Sequence, residues 1–341
     1  MSNIKVNNWV KWWLIVGLVM IFFQIIIGGI TRLTGSGLSI TKWEIVTGTL
    51  PPLNQAQWEE AFNLYKETPQ YQKINEGMSM HSFKWIYFWE YFHRLWARLI
   101  GFAFIIPFVI FLRKGWINQK LKKKLLRLVL LGALVAVFGW IMVMSGLNDR
   151  PWVSAYKLAF HLTLALFVFS YLLHILLSYQ QYRVKVFSTR LKRQANTLLI
   201  LLFVQIVFGA FMSGMHAGLL YPTWPKIGQA FIPPSIFEID NYLTGDFWIY
   251  DQNTFIQLLI HFLHRSLAYI IFLFVLFQII QLIKFKWFAL IKFEAMGLLG
   301  ILLLQVVLGI VTVISCKGNI PIMLASLHQA VAIVLLLFTW L

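Results

Sequence analysis

One cysteine, Cys316, stands in 341 residues, so an intrachain disulfide and any metal site built from several cysteines are excluded. Charge is scarce as well: 12% of the residues are charged, against about 25% in a soluble globular protein. Acids are scarcer than bases, at 12 Asp and Glu to 29 Lys and Arg, for a formal net charge of +17. Such an excess marks a nucleic-acid binder when the basic residues share one soluble surface. Here most of them lie in short stretches between long apolar runs, the topogenic pattern of membrane proteins. A small-residue cleavage site is also missing after the first apolar run, which therefore reads as a retained helix and not as a signal peptide.

What the chain has in abundance is apolar surface, with 60% hydrophobic residues and a mean hydropathy of +0.74. Eight runs stand out, at about 12–30, 85–112, 126–146, 157–178, 197–215, 254–283, 295–314 and 321–341. Most approach or exceed the ~20 residues that span a bilayer. The last ends at Leu341 with minimal length, which reads as an early stop. The stretches between the runs alternate. Lys5 and Lys11, then Arg113 to Arg127, then Arg183, Lys185, Arg190, Lys192 and Arg193, then Lys284, Lys286 and Lys292 fall on one side, predicted to be cytoplasmic. The other side carries two long loops. Loop 31–84 holds Glu44, Glu59, Glu60, Glu67 and Glu76, and loop 216–253 holds Glu238, Asp240, Asp246 and Asp251. Both termini are then inside, and loops of that length are expected to cap something.

The chain repeats itself. At an offset of 181, Gln24-Ile25 falls on Gln205-Ile206, Gly28 on Gly209, Gly37-Leu38 on Gly218-Leu219, Trp43 on Trp224 and Pro52 on Pro233. His93-Arg94 falls on His264-Arg265 at 171, Gly139 on Gly309 and Ser145 on Ser315 at 170, and His161 on His328 at 167. The expected fold is an all-α integral membrane protein, with eight transmembrane helices as two pseudo-symmetric four-helix bundles. The halves are residues 1–196 and 197–341. An even number of spans per half makes the two copies parallel, about an axis along the membrane normal. Gln24, Gln205 and Gln305 each precede a glycine by four positions. They read as close helix packing with an interhelical hydrogen bond, and no chemistry is assigned to them.

Four of the eight histidines, His93, His161, His264 and His328, fall one on each even-numbered span and in one depth band. Two facing histidines on neighbouring helices of a bundle suit a bis-imidazole haem. Zinc wants three or four ligands, and the repeat offers two per half. Satisfied core histidines and a proton relay stay open as alternatives. His81 and His216 read as surface residues, and His174 lies ~20 Å along the helix from His161, too deep to share its site.

The stretch Glu90-Tyr91-Phe92-His93-Arg94 breaks the symmetry. A charged side chain at the centre of a membrane helix costs roughly 2.5–3.5 kcal/mol, less near an end, so such residues tend to be functional. The mate of Glu90 is His261, and the mate of Arg98 is Tyr269. A carboxylate one turn from a metal ligand can act as a general base, take a proton or stabilise developing positive charge. A plain i,i+4 ion pair with Arg94 is the competing reading. A half with an acid reads as reactive, and a half without one as an electron-transfer or structural haem site.

At this point the motifs are specific. Gly28-Gly29-Ile30-Thr31-Arg32-Leu33-Thr34-Gly35-Ser36-Gly37-Leu38-Ser39 follows the first run, Glu90-Tyr91-Phe92-His93-Arg94 opens the second, and His161 lies in the fourth. Ala217-Gly218 with Phe231-Ile232-Pro233-Pro234, His264-Arg265 and His328 continue the pattern. Over nearly its whole length the chain resembles the haem A synthase family, of the kind related to the mitochondrial enzyme. The resemblance implies an oxidoreductase acting on CH groups. It would oxidise the C8 methyl of haem O to a formyl group by two hydroxylations with water as oxygen source, through a gem-diol.

It implies His93 and His161 as the substrate-haem ligands, Glu90 as the catalytic residue, and His264 and His328 as ligands of a permanent haem b. Arg94, Arg98, Arg265, Lys157 and His261 become candidates for contacts to propionates or ligands, with Arg32, Arg150 and Trp43 near the outer helix ends. Interfacial anchoring is the competing reading for Lys157, Arg150, Arg32 and Trp43. The implied setting is a bacterial plasma membrane, with haem O, a haem O synthase, the lipid bilayer and an unnamed electron acceptor as partners. No nucleic acid is expected, and homo-oligomerisation stays open. Some members carry a cysteine pair in the first outer loop, and loop 31–84 has none. The alternatives are a di-haem b electron-transfer subunit and a transporter with parallel repeats.

Overall fold

The computed structural model describes residues 7–42, 50–147, 150–180, 189–243, 247–285, 289 and 291–340. Trp43, and the charged residues Lys5, Glu44, Arg183, Lys185, Asp246 and Lys286, lie outside the described residues. Among the described residues the fold is all helical, with no strand beyond an isolated bridge between Ile227 and Ala230. The helices are α1 (Asn8–Leu33), α2 (Gln55–Lys66), α3 (Pro69–Lys73), α4 (Met80–Arg113), α5 (Gln119–Leu147), α6 (Ala155–Tyr179) and α7 (Thr189–Gly214). After these come α8 (Ala217–Leu220), α9 (Asp240–Leu243), α10 (Thr254–Lys284), α11 (Lys292–Ile314) and α12 (Ile322–Phe338).

Seven of these helices, α1, α4, α5, α6, α7, α10 and α11, are long and apolar enough to cross a membrane. The chain is a multi-pass membrane protein. The eighth apolar run forms α12, of 17 residues. Several helices outlast the apolar runs because Lys, Arg and Gln are good helix formers. The basic stretch 119–124 is the start of α5, with Asn118 capping the Leu121 N–H at 2.8 Å. Residues 189–196 are likewise the first two turns of α7.

The chain divides into two compact units, Met1–Arg183 and Val184–Leu341. In the first, α1 packs between α4 and α6, and α5 packs on α6. Pro107 lies inside α4, and its missing N–H releases the carbonyl four residues back. Trp13 of α1 meets that need, donating its indole N–H to the Ala103 carbonyl at 2.9 Å. Trp96 of α4 returns the contact, donating to the Met20 carbonyl at 2.9 Å. The Asn7 N–H, just before α1, donates to the Tyr179 hydroxyl at the end of α6 at 2.8 Å. In the second unit, α7 packs on α10 and α12, and α11 packs on α10 and α12.

The long loop of the first unit is not a bare connector. Its helices α2 and α3 close over the extended start of α4 through Phe62, Tyr65, Phe83 and Ile86, with Trp58, Tyr71 and Tyr87 packed around them. Tyr65 is 0% exposed. Burial raises its phenol pKa above the ordinary value, so it works as a neutral hydroxyl at pH 7. It donates to Gln70 Oε1 at 3.0 Å and accepts from Asn75 at 2.7 Å. Gln70 in turn donates to the Gly35 carbonyl at 2.9 Å, tying the cap to the turn after α1. That turn needs a left-handed residue, and Gly35 takes it at φ 67°. The matching turn of the second unit places His216 at φ 54°, so the backbone course repeats even where glycine does not.

Phe83 sits at the centre of the cap, with ring centroids 4.8 Å from Phe62 and 5.2 Å from Tyr65. Phe83→Ala should cost about 3–5 kcal/mol of stability. The expected signs are a lower melting temperature in detergent and faster proteolysis within residues 55–78.

Candidate functional site

Two kinds of arrangement stand out, one around a carboxylate of the first unit and one around the pair of membrane histidines in each unit. Glu90 lies on α4 and is 2% exposed. Three groups hold its carboxylate. The Ser39 hydroxyl and the Ile40 N–H both donate to Oε2, each at 2.8 Å. Arg94, one turn along α4, forms the i,i+4 ion pair with Oε1. The Arg94 guanidinium also donates to the Ile40 carbonyl at 3.1 Å, so carboxylate, arginine and loop close into a ring. The loop arrives there because α1 stops at Leu33, the chain turns at Gly35, and the Thr31 hydroxyl lies 3.2 Å from the Trp89 carbonyl of α4. Leu38 is wedged against α5, where a methyl group on Gly146 would lie 2.8 Å from it.

The ion pair expected from the spacing does form, and it is only part of the arrangement. Ser39 and Ile40 come from 50 or more residues away in sequence, and spacing along α4 carries no signal for them. The fourfold hydroxyl run Thr31, Thr34, Ser36, Ser39 beside a membrane span was the available hint.

Each of the four histidines faces a glycine on a neighbouring helix. A methyl group on Gly28 would lie 3.0 Å from His93 Nε2, and one on Gly139 would lie 3.0 Å from His161 Cε1. The mates repeat this, at 3.5 Å for Gly209 and His264 and 2.9 Å for Gly309 and His328. The glutamines, read from sequence as packing residues, touch the same histidines. Gln24 donates to the His93 carbonyl at 3.3 Å, and Gln205 donates to the His264 carbonyl at 3.0 Å. Gln305 Nε2 lies 3.3 Å from His328 Nε2. The fourth position, four residues before Gly139, is Val135. The signal was in the sequence, since a glutamine four residues before the glycine shares its helix face.

The residues of the second unit fit a bis-imidazole haem. The His264 and His328 ring centroids are 6.4 Å apart, with planes at 75°. Two metal–imidazole bonds of about 2 Å each, plus the two half-rings, span about 6 Å. His328 Nδ1 lies 3.1 Å from the Gln305 carbonyl, and a proton held there leaves Nε2 unprotonated, as a ligand nitrogen must be. In the first unit His93 and His161 lie within electrostatic reach of each other. All four rings are half-buried, whereas Glu90 and His261 are buried.

His261, the mate of Glu90, is 1% exposed, and neither ring nitrogen has a hydrogen-bond partner among the described residues. Arg265, the mate of Arg94, still grips its loop, donating to the carbonyls of Thr223 at 3.0 Å and Pro225 at 2.9 Å. Arg98 is half-buried one turn beyond Arg94, and Lys157 is exposed one turn before His161. Arg32 and Arg150 are half-buried near the ends of α1 and α6. His81 and His174 are exposed, and His174 lies 3.4 Å from the Ser178 hydroxyl. Cys316 is buried and its thiol donates to the Thr312 carbonyl at 3.2 Å; burial raises its pKa, which makes it an inert core residue.

Seven membrane-length helices, paired imidazoles against glycines and one locked carboxylate define a class: multi-pass α-helical membrane proteins with polar sites inside their helix bundles. Within that class the chain belongs to the COX15-CtaA family, described as cytochrome oxidase assembly protein, whose model matches residues 11–340. It is similar to a protein named haem A synthase from Bradyrhizobium diazoefficiens, 42% identical over 328 residues, covering 96% of this chain and 88% of that one. A protein of the same name from Parvibaculum lavamentivorans is 41% identical over 330 residues, covering 95% and 90%. One from Flavobacterium psychrophilum is 38% identical over 339 residues, covering 98% and 97%.

Removing the arginine leaves a buried carboxylate with no counter-charge. Arg94→Ala should destabilise the fold by about 3–5 kcal/mol, and adding Glu90→Gln should recover most of that loss. Melting curves of the two single variants and the double variant in detergent check the pair.

Proposed function

We propose that the chain is a haem A synthase, an oxidoreductase that converts haem O to haem A by oxidising the C8 methyl to a formyl group. Water supplies the oxygen through successive hydroxylations. The name carried by relatives over nearly the whole chain supports this reading. The observation that carries it is the confinement of Glu90 one helical turn from His93, with no carboxylate at the matching position of the second unit. His93 and His161 are the proposed ligands of the substrate, and His264 and His328 of a resident haem b. A haem b held by His264 and His328 would supply one-electron redox chemistry, and the oxidation requires an external electron acceptor.

The protein's own part is placement. His93 and His161 orient the substrate by its iron. Glu90 holds negative charge, or accepts a proton, where positive charge develops on the methyl and water attacks. Glycines opposite the histidines keep the helix faces flat enough for a macrocycle. Arg94, Arg98, Arg265, Lys157 and His261 are proposed to contact either the propionates or the groups that hold the haems, with Arg32 and Arg150 near the helix ends as further propionate candidates.

The proposed architecture takes α12 as an eighth span. Its 17 residues rise about 25 Å, somewhat short of a hydrocarbon core of about 30 Å. Two four-helix halves are then related by the internal repeat, with both termini cytoplasmic and the chain in a bacterial plasma membrane. A haem O synthase is the natural supplier of the substrate.

Co-expression with a haem O synthase should yield haem A, scored by haem extraction and chromatography. Wild-type protein that accumulates only haem O, or that binds only haem b, would sink the proposal, the second outcome pointing to a di-haem electron-transfer subunit. Glu90→Ala should stop oxidation and leave haem binding intact. Gly309→Leu should displace His328 and lower bound haem b by half or more, read from the pyridine haemochrome spectrum.

A further inference from the structure

The two halves of the chain serve as an internal control on the carboxylate site. At the offset of 181 that aligns Gly28 with Gly209, the hydroxyl residues Thr31, Thr34, Ser36 and Ser39 fall on Met212, Met215, Ala217 and Leu220. The arginine grip on the loop persists in both halves, through Arg94 on Ile40 and Arg265 on residues 223 to 226. What changes together is the carboxylate and the residue type at the sequence position of Ser39. Where the helix carries Glu90, the loop presents Ser39; where it carries His261, the residue matching Ser39 in sequence is Leu220, and both imidazole nitrogens have no partner among the described residues. Loop anchoring alone therefore does not need the serine.

We propose that Ser39 is a positioning residue for Glu90, its hydroxyl and the adjacent Ile40 N–H fixing Oε2 so that the carboxylate stays in one orientation beside His93. Ser39 is 1% exposed, so water does not compete for this contact. Its hydroxyl has one proton and two acceptors in range, Glu90 Oε2 at 2.8 Å and the Ile86 carbonyl at 3.4 Å, and the shorter, charged acceptor wins. The Ile40 N–H also donates at 2.8 Å but is backbone and survives any substitution. Without the hydroxyl, Oε2 keeps one donor of its two, and the carboxylate gains freedom to swing about its last torsion. The role rests on the reading of Glu90 as the catalytic carboxylate.

The test uses full-length protein co-expressed with a haem O synthase. Ser39→Ala should slow haem A formation about tenfold or more, the loss expected from one hydrogen bond to a charged group, with bound haem unchanged. Ser39→Thr, which keeps the hydroxyl, should return the rate to within about threefold of wild type. In a Glu90→Gln background Ser39→Ala should add little, since residues acting as a unit are not additive.

An infrared carboxylate band, assigned by its loss in Glu90→Gln, should shift in Ser39→Ala and return in Ser39→Thr. A wild-type rate in Ser39→Ala, loss of haem in that variant, no rescue by threonine, or an unmoved band each overturns the proposal. If wild-type protein makes no haem A, the functional reading fails, and the infrared band still decides whether Ser39 holds Glu90.

Discussion

A carboxylate taken out of water must bring its counter-charge and its hydrogen-bond donors with it. That requirement organises the first half of this protein. Glu90 sits inside a helix whose own backbone donors are already committed, so help has to come from elsewhere. Arg94 supplies the charge from the next turn, and the chain after α1 supplies the donors. For the loop to arrive, α1 must end at Leu33, the backbone must turn left-handed at Gly35, and Gly146 must have no side chain. The aromatic cap then pins the turn from above through Tyr65 and Gln70. Much of the course of the loop after α1 follows from one buried charge.

The histidines obey a different constraint, one of space. An imidazole projecting between packed helices needs a neighbour that gives way, and glycine does so in all four places. This device is the same in both halves and belongs to the scaffold. The carboxylate ring does not repeat. At the corresponding place the second half has a buried imidazole with no hydrogen-bond partner among the described residues, and the arginine still holds its loop. The glycine-and-histidine frame is common to both units, and their interiors differ in polarity.

Some features were legible early because they depend on one element at a time. The long apolar runs, the four histidines and the absence of an acid opposite His264 follow from composition and spacing. The helix ends were less legible, since a lysine-rich turn such as 119–124 is as helical as the apolar run it precedes. The glutamines stood in plain sight four residues from their glycines. Their partners lie on other helices, so periodicity revealed a face and not a contact.

By itself the sequence determined that the chain crosses a membrane, that its motifs recur at offsets of 167 to 181, and that of the recurring histidine motifs only the one at His93 has an acid one turn away. These are properties of hydropathy, register and residue identity, which the linear order already contains. The tertiary structure alone decided what surrounds that acid. Ser39 and Ile40 are some 50 residues from Glu90, and nothing local links them. They meet because α1 and α4 pack side by side and the turn at Gly35 folds the chain back, and only then is a costly charge in a membrane helix held in place.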